Sequence, residues 1–201
     1  METSSLAQMP GYRLAEYQLI LNPHEDLRNR ISALKKEFAE KYSLPVHNSK
    51  PHITLARFKV WELMEPKLVN HLKVVAMGMP PVKIHLKDYG NFPAHTIYIA
   101  VESKLVISNL VKPLKEARRL MKSPENEPHF INDAFIPIAQ KVPSEIFDKS
   151  SIEYAHRHFT ASFIASEMLL LKRREGDYGF QIAEHLQFMN LPVSVKQGDL
   201  F

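Results

Sequence analysis

The sequence predicts an α+β fold in which two pseudo-symmetric lobes of antiparallel sheet, with helices on their outer sides, face each other across a central cleft. Three observations predict it. Strand and helix signals alternate as strand, helix, strand, helix, strand, and the same order recurs in the second half of the chain. The helical segments place apolar residues at helical spacing on one stripe, which calls for a covering sheet. The strand at 50–60 alternates polar and apolar side chains, so one of its faces is buried and the other open.

Residues 12–21 (YRLAEYQLIL) form the first strand, closed by Asn22-Pro23 because proline lacks the N–H that a ladder needs. Leu27, Ile31, Leu34 and Phe38 then recur at helical spacing over 25–42, and Pro45 ends that region. The second strand, KPHITLARFKV, puts His52 and Thr54 on one face and Ile53 and Leu55 on the other. Residues 61–76 read as a further helix, and 81–86 and 96–101 as strands joined by the turn-rich DYGNFPAH. The second pass opens on HTIYIAV. A helix over 104–121 follows, with Leu110, Leu114 and Ala117 in its buried stripe, and then the polar, proline-bearing loop KSPENEPH. AFIPIAQ at 134–140 is a short strand, 144–156 a helix, HFTASFIASEMLLLKR one or two strands, and 179–188 the last strand.

The totals bound the function classes. With 201 residues, 45% hydrophobic and 24% charged, the chain has an ordinary globular composition and enough length for a substantial core. A formal charge of +4 and a pI near 9.2 permit attraction to phosphate-bearing partners without identifying one. The absence of cysteine excludes disulfides, thiolate metal sites and cysteine nucleophiles, and a cytoplasmic location is expected. Residues 1–10 show neither period and read as a loose leader, with no signal-peptide pattern, ahead of a single bilobal domain over 11–201. No apolar run approaches the roughly 20 residues that cross a bilayer, so no membrane partner is expected.

The informative segment is Pro51-His52-Ile53-Thr54-Leu55. Residues two apart on a strand point the same way, so an imidazole and a hydroxyl project side by side. The hydroxyl donates to a phosphoryl oxygen, and an imidazole moves a proton near neutral pH. Taken alone, His-x-Thr is a short pattern that chance also produces on the open face of a strand. Over most of its length, however, the chain resembles the 2H phosphoesterase superfamily, in particular its 2′-5′ RNA ligase-like and cyclic phosphodiesterase members. KPHITLARF is similar to the first motif of that family, and IAQKVPSEIFDKSSIEYAHRHFTASFIASEMLLLKR to the stretch that follows the second. The resemblance implies two His-x-Thr strands facing each other. One histidine is the general base and the other the general acid on a 2′,3′-cyclic or 2′-5′ phosphodiester, with no metal and no cofactor.

The second motif departs from that pattern. The alignment puts Phe135 at the histidine position and Pro137 at the threonine position, and neither side chain can donate a proton or hold a phosphate. Two replacements are available. His158-Phe159-Thr160 has the literal pattern, but it falls at the strand after the second helix and is expected outside the cleft. His129, in the loop before the degraded strand, reaches the cleft if that loop leans inward; the ordinary alternative is a solvated loop histidine.

Arg57 and Lys59 are read as sharing the face of His52 and Thr54 and supplementing phosphate binding, with solvated strand-end cations as the alternative. Tyr89 and Phe92, in the turn, either stack a base or plug the edge of the core. His156 and His158 lack a third ligand, so no metal site is expected, and Lys172, Arg173 and Arg174 read as surface charge. The expected ligand is a nucleotide or an RNA-end phosphodiester, and the expected state is a monomer. The function read from these residues is phosphodiester chemistry by His52 and Thr54, with His129 as candidate partner. The alternative is a catalytically inactive nucleotide- or RNA-binding member of the same fold.

Overall fold

The computed structural model describes residues 12–46, 49–93, 95–124 and 126–192; the leader expected at 1–10 lies outside them. The elements run β1 (Leu14–Leu21), α1 (Glu25–Lys41), β2 (Ile53–Trp61), α2 (Glu65–Met77), β3 (Val82–Phe92), β4 (Thr96–Val101), α3 (Lys104–Leu114), α4 (Arg118–Met121), β5 (His129–Phe130), β6 (Phe135–Gln140), α5 (Ser144–Ala155), β7 (Thr160–Ala165), β8 (Glu167–Arg174) and β9 (Gln181–Gln187). They build two antiparallel sheets, one in the order β5-β2-β1-β8-β9 and the other β6-β4-β3-β7. This is the α+β fold with two facing sheets that the sequence predicts.

The two halves of the chain interlock. β3 leaves the first half to pair with β4, and β8 leaves the second half to pair with β1. α1 crosses over as well: it connects two strands of the first sheet yet packs on β6 of the second, whereas α3 and α4 lead from β4 of the second sheet to β5 of the first and both contact β2. Each lobe therefore depends on both halves for its core.

Several boundaries differ from expectation, each for a local reason. The turn-rich segment read at 88–95 begins as strand, because β3 continues to Phe92 past a bulge at which Asp88 takes φ +55. The helix expected over 104–121 divides into α3, a 3-10 turn at Lys115–Ala117 and α4; Pro113 near its end removes an N–H from the ladder. The loop before β6 contains the two-residue strand β5, which pairs with β2.

The packing fixes the site strands firmly. Ile53, Leu55 and Phe58 of β2 are buried with Tyr17, Leu19 and Leu21 of β1, and the Tyr17 and Phe58 rings stack at 5.5 Å. Fully burying side chains of this size stabilises by roughly 1.5–3 kcal/mol each, which holds β2 in one register. Strict alternation would send the odd-numbered Arg57 to the face opposite His52 and Thr54. The expected placement is nonetheless obtained, through a β-bulge. Ile20 pairs with Thr54 and Leu19 with Ala56, so Leu55 is an extra residue and the alternation shifts phase behind it.

Candidate functional site

Pro51 leads directly into β2 and biases the preceding residue towards an extended backbone. His52 stands one residue before the first paired position of β2, and its Nδ1 lies 2.8 Å from the Lys50 carbonyl oxygen. A carbonyl only accepts, so Nδ1 carries the hydrogen, and in the neutral ring Nε2 carries the lone pair. Thr54 lies two residues on, half-buried, with the buried Ile53 and Leu55 anchoring the backbone on either side.

His52 and Thr54 line a cavity of about 290 Å³ between the two sheets. Arg57 and His129 line it too: they are directly opposite each other across β2 and β5, and Arg57 is opposite Gln18 across β1. No carboxylate is among its described lining residues, so the polar wall presents imidazole, hydroxyl, amide and guanidinium groups. That set suits an anion. Behind Ser49, which also lines the cavity, Lys35 is 3% exposed and donates to the Ser49 carbonyl oxygen at 2.8 Å. Burial pushes its ammonium down to about 8.

The opposite wall carries Phe135 and Pro137 on β6. The pairing of β6 parallels that of β2. Pro137 pairs with Tyr98 and Ala139 with Ile97, so Ile138 is an extra residue, just as Leu55 is in β2. In both strands the bulge immediately follows the second motif position. Pro137 is accommodated because β6 is an edge strand.

The remaining candidates fall elsewhere. Phe92 is absent from the described lining of the His52 cavity; it packs behind Phe135 with ring centroids 4.9 Å apart and lines a neighbouring depression of about 180 Å³. Tyr89 plugs the core, edge-on to Tyr154 at 4.9 Å. Lys59 shares the Arg57 face but lines a separate cavity of about 500 Å³ beside Glu16 and Arg173. His158 has an 88% exposed side chain 3.2 Å from Asp88, next to the edge strand β7. Lys172, Arg173 and Arg174 are committed to Glu62, Glu65 and Glu16. No group of three or more metal-ligating side chains occurs among the described residues, and no described helix is long and apolar enough to cross a membrane.

Sequence reasoning missed Gln18, Ser49, Gln140 and Phe180, all of which line the cavity. Gln18 left a signal, since it is the one polar residue in the otherwise apolar run Tyr17–Leu21. Phe180, in the β8–β9 connection with the Arg173 guanidinium 4.7 Å above its ring, left none.

Comparison with known proteins agrees with this fold. Residues 23–177 match the family described as the 2′-5′ RNA ligase superfamily. Among curated protein sequences none matches. Escherichia coli LigT, solved with 3′-AMP, is 13% identical with a TM-score of 0.59, over 88% of this chain and 98% of its own. TT0787 of Thermus thermophilus is 14% identical with a TM-score of 0.60, over 87% of this chain and 98% of its own. Kluyveromyces marxianus Usb1 is 12% identical with a TM-score of 0.50, over 89% and 100%. At these identities the structures establish the shared fold, and the family match extends over most of the chain. The chain belongs to the 2′-5′ RNA ligase superfamily, the 2H phosphoesterases.

Proposed function

We propose that the cavity receives a nucleotide or RNA-end phosphodiester and opens it by metal-independent histidine chemistry. The observation that carries this reading is the convergence of His52, Thr54, Arg57 and His129 on one cavity with no carboxylate in its described lining. Thr54 and Arg57 hold the phosphoryl oxygens, and the Nε2 of His52 exchanges the proton. His129 is the candidate for the second transfer, in place of the position that Phe135 occupies. LigT has been solved with 3′-AMP, with phosphate and with ATP, which accords with a nucleotide in this fold. General acid–base groups contribute about 10²–10⁴-fold each, so turnover lacking one optimally placed group is slow.

Phe135 and Pro137 favour a second reading, in which the cavity binds the same ligand without turning it over. Hydrolysis of nucleoside 2′,3′-cyclic phosphates in EDTA separates the two. Turnover that disappears in His52→Ala supports the enzyme. Wild-type turnover at the level of His52→Ala across cyclic and 2′-5′ substrates leaves binding alone.

A further inference from the structure

The phosphate reading uses one wall of the cavity and leaves the other without a role. On that other wall the Phe135 ring takes the place of an imidazole, and it is held rigidly. Phe92 packs edge-on against it at 4.9 Å, Tyr98 lies 5.1 Å away, and Phe92 and Tyr98 are 4.7 Å apart. Tyr98 in turn lies across Gly90, where a Cβ would come within 2.6 Å of its ring. Three mutually packed rings, one of them lying over a glycine, make a preorganised aromatic surface, which loses little freedom when a ligand packs on it.

Gln18 is an independent observation. It is 7% exposed, lines the same cavity, and its side-chain amide has no hydrogen-bond partner among the described residues. An amide that opens into a cavity without a protein partner is available to a ligand or water. A primary amide neutralises no charge; it offers a donor and an acceptor together, the complement of a nucleobase edge. The cavity volume of about 290 Å³ lies just below the range of small-molecule sites, about 300–1,000 Å³, which suits one nucleotide rather than several.

We propose that the degraded half-site is a nucleobase subsite: the base of a single nucleotide stacks on Phe135 and meets the Gln18 amide, while its ribose-borne phosphate sits at His52, Thr54 and Arg57. This assignment rests on the phosphate reading of His52 and Thr54. The change from histidine to phenylalanine then exchanges a proton donor for a stacking surface, so ligand choice shifts from phosphate alone towards phosphate plus base.

The test is calorimetric titration of the full chain with 3′-AMP, ribose 5-phosphate and inorganic phosphate. Phe135→Leu keeps an apolar side chain and removes the ring. It is expected to weaken 3′-AMP roughly 5- to 150-fold, the range for loss of one base–aromatic stack, and to leave phosphate and ribose 5-phosphate unchanged. Phe135→Tyr is expected to retain 3′-AMP affinity, and inorganic phosphate binding by each variant reports that the site is intact. Equal 3′-AMP affinity in wild type and Phe135→Leu overturns the base subsite, as does parallel weakening of phosphate. If wild type still binds phosphate and Thr54→Val does not, the phosphate reading survives that failure. A wild-type chain that binds neither phosphate nor 3′-AMP overturns both.

Discussion

Replacing Lys35 by methionine probes the buried charge behind the site. Lys35 is 3% exposed on α1, and its described partners are the Ser49 carbonyl at 2.8 Å and hydroxyl at 3.4 Å, neither of them charged. Lys141, an exposed cation, lines the same cavity of about 240 Å³, and no carboxylate is among the described lining residues. Desolvation lowers the Lys35 ammonium from 10.5 to about 8. At 1.36 kcal/mol per unit, the charged form costs about 3 kcal/mol at neutral pH. The sign follows from proton binding: between pH 8 and 10.5 the unfolded chain holds this proton more tightly than the folded one. The contribution of this group to stability is therefore lowest below pH 8 and rises towards pH 10.5. Methionine removes the charge and also the bonds to Ser49, whose loss costs about 1.5–3 kcal/mol. The net gain at pH 7 is then about 0–2 kcal/mol. At pH 10 the wild-type penalty has fallen to about 1 kcal/mol, so the relative advantage of the variant shrinks by about 2 kcal/mol. Urea unfolding of both proteins at pH 7, 8, 9 and 10 measures this, because the other titrations cancel in the difference. A difference that stays constant across that range would refute the buried-charge account.

Two further substitutions address the second half-site. Gly90→Ala drives a Cβ to 2.6 Å from the Tyr98 ring and is expected to destabilise by about 1–3 kcal/mol, at roughly 2–4 °C of Tm per kcal/mol; an unchanged melt contradicts the close approach. The double change Phe135→His with Pro137→Thr restores an imidazole and a hydroxyl at bulge-matched positions. Turnover of a 2′,3′-cyclic phosphate is expected to rise by about 10²–10⁴-fold, whereas no rise counts against the equivalence of the two half-sites.

The fold was legible because the helix stripes of Leu27, Ile31 and Phe38 and the alternation at Ile53 and Leu55 are core requirements, and all five side chains are buried. The crossing of β3 and β8 between sheets was not, since an antiparallel strand has the same local pattern in either sheet. The pairing of His52 with Thr54 on one cavity was readable from their spacing, and the placement of Phe135 and Pro137 on the facing wall from the strand order. The bulges that aim both strands were hidden, because an extra residue such as Leu55 or Ile138 is apolar like its neighbours. Period 2 alone puts Arg57 on the wrong face, and only the pairing of Leu19 with Ala56 explains why it reaches the cavity. Residues from distant connections, such as Phe180, carry no local mark of the site.

Long-range nitrogen–proton correlation NMR of the histidine side chains reports whether the His52 ring presents Nε2 to a phosphate. With the ring neutral, His52 is predicted to be the Nδ1–H tautomer, tied to the Lys50 carbonyl, and its Nε2 signal is predicted to move on titration with inorganic phosphate or 3′-AMP. An Nε2–H tautomer, or an Nε2 signal that neither ligand moves, would contradict the account.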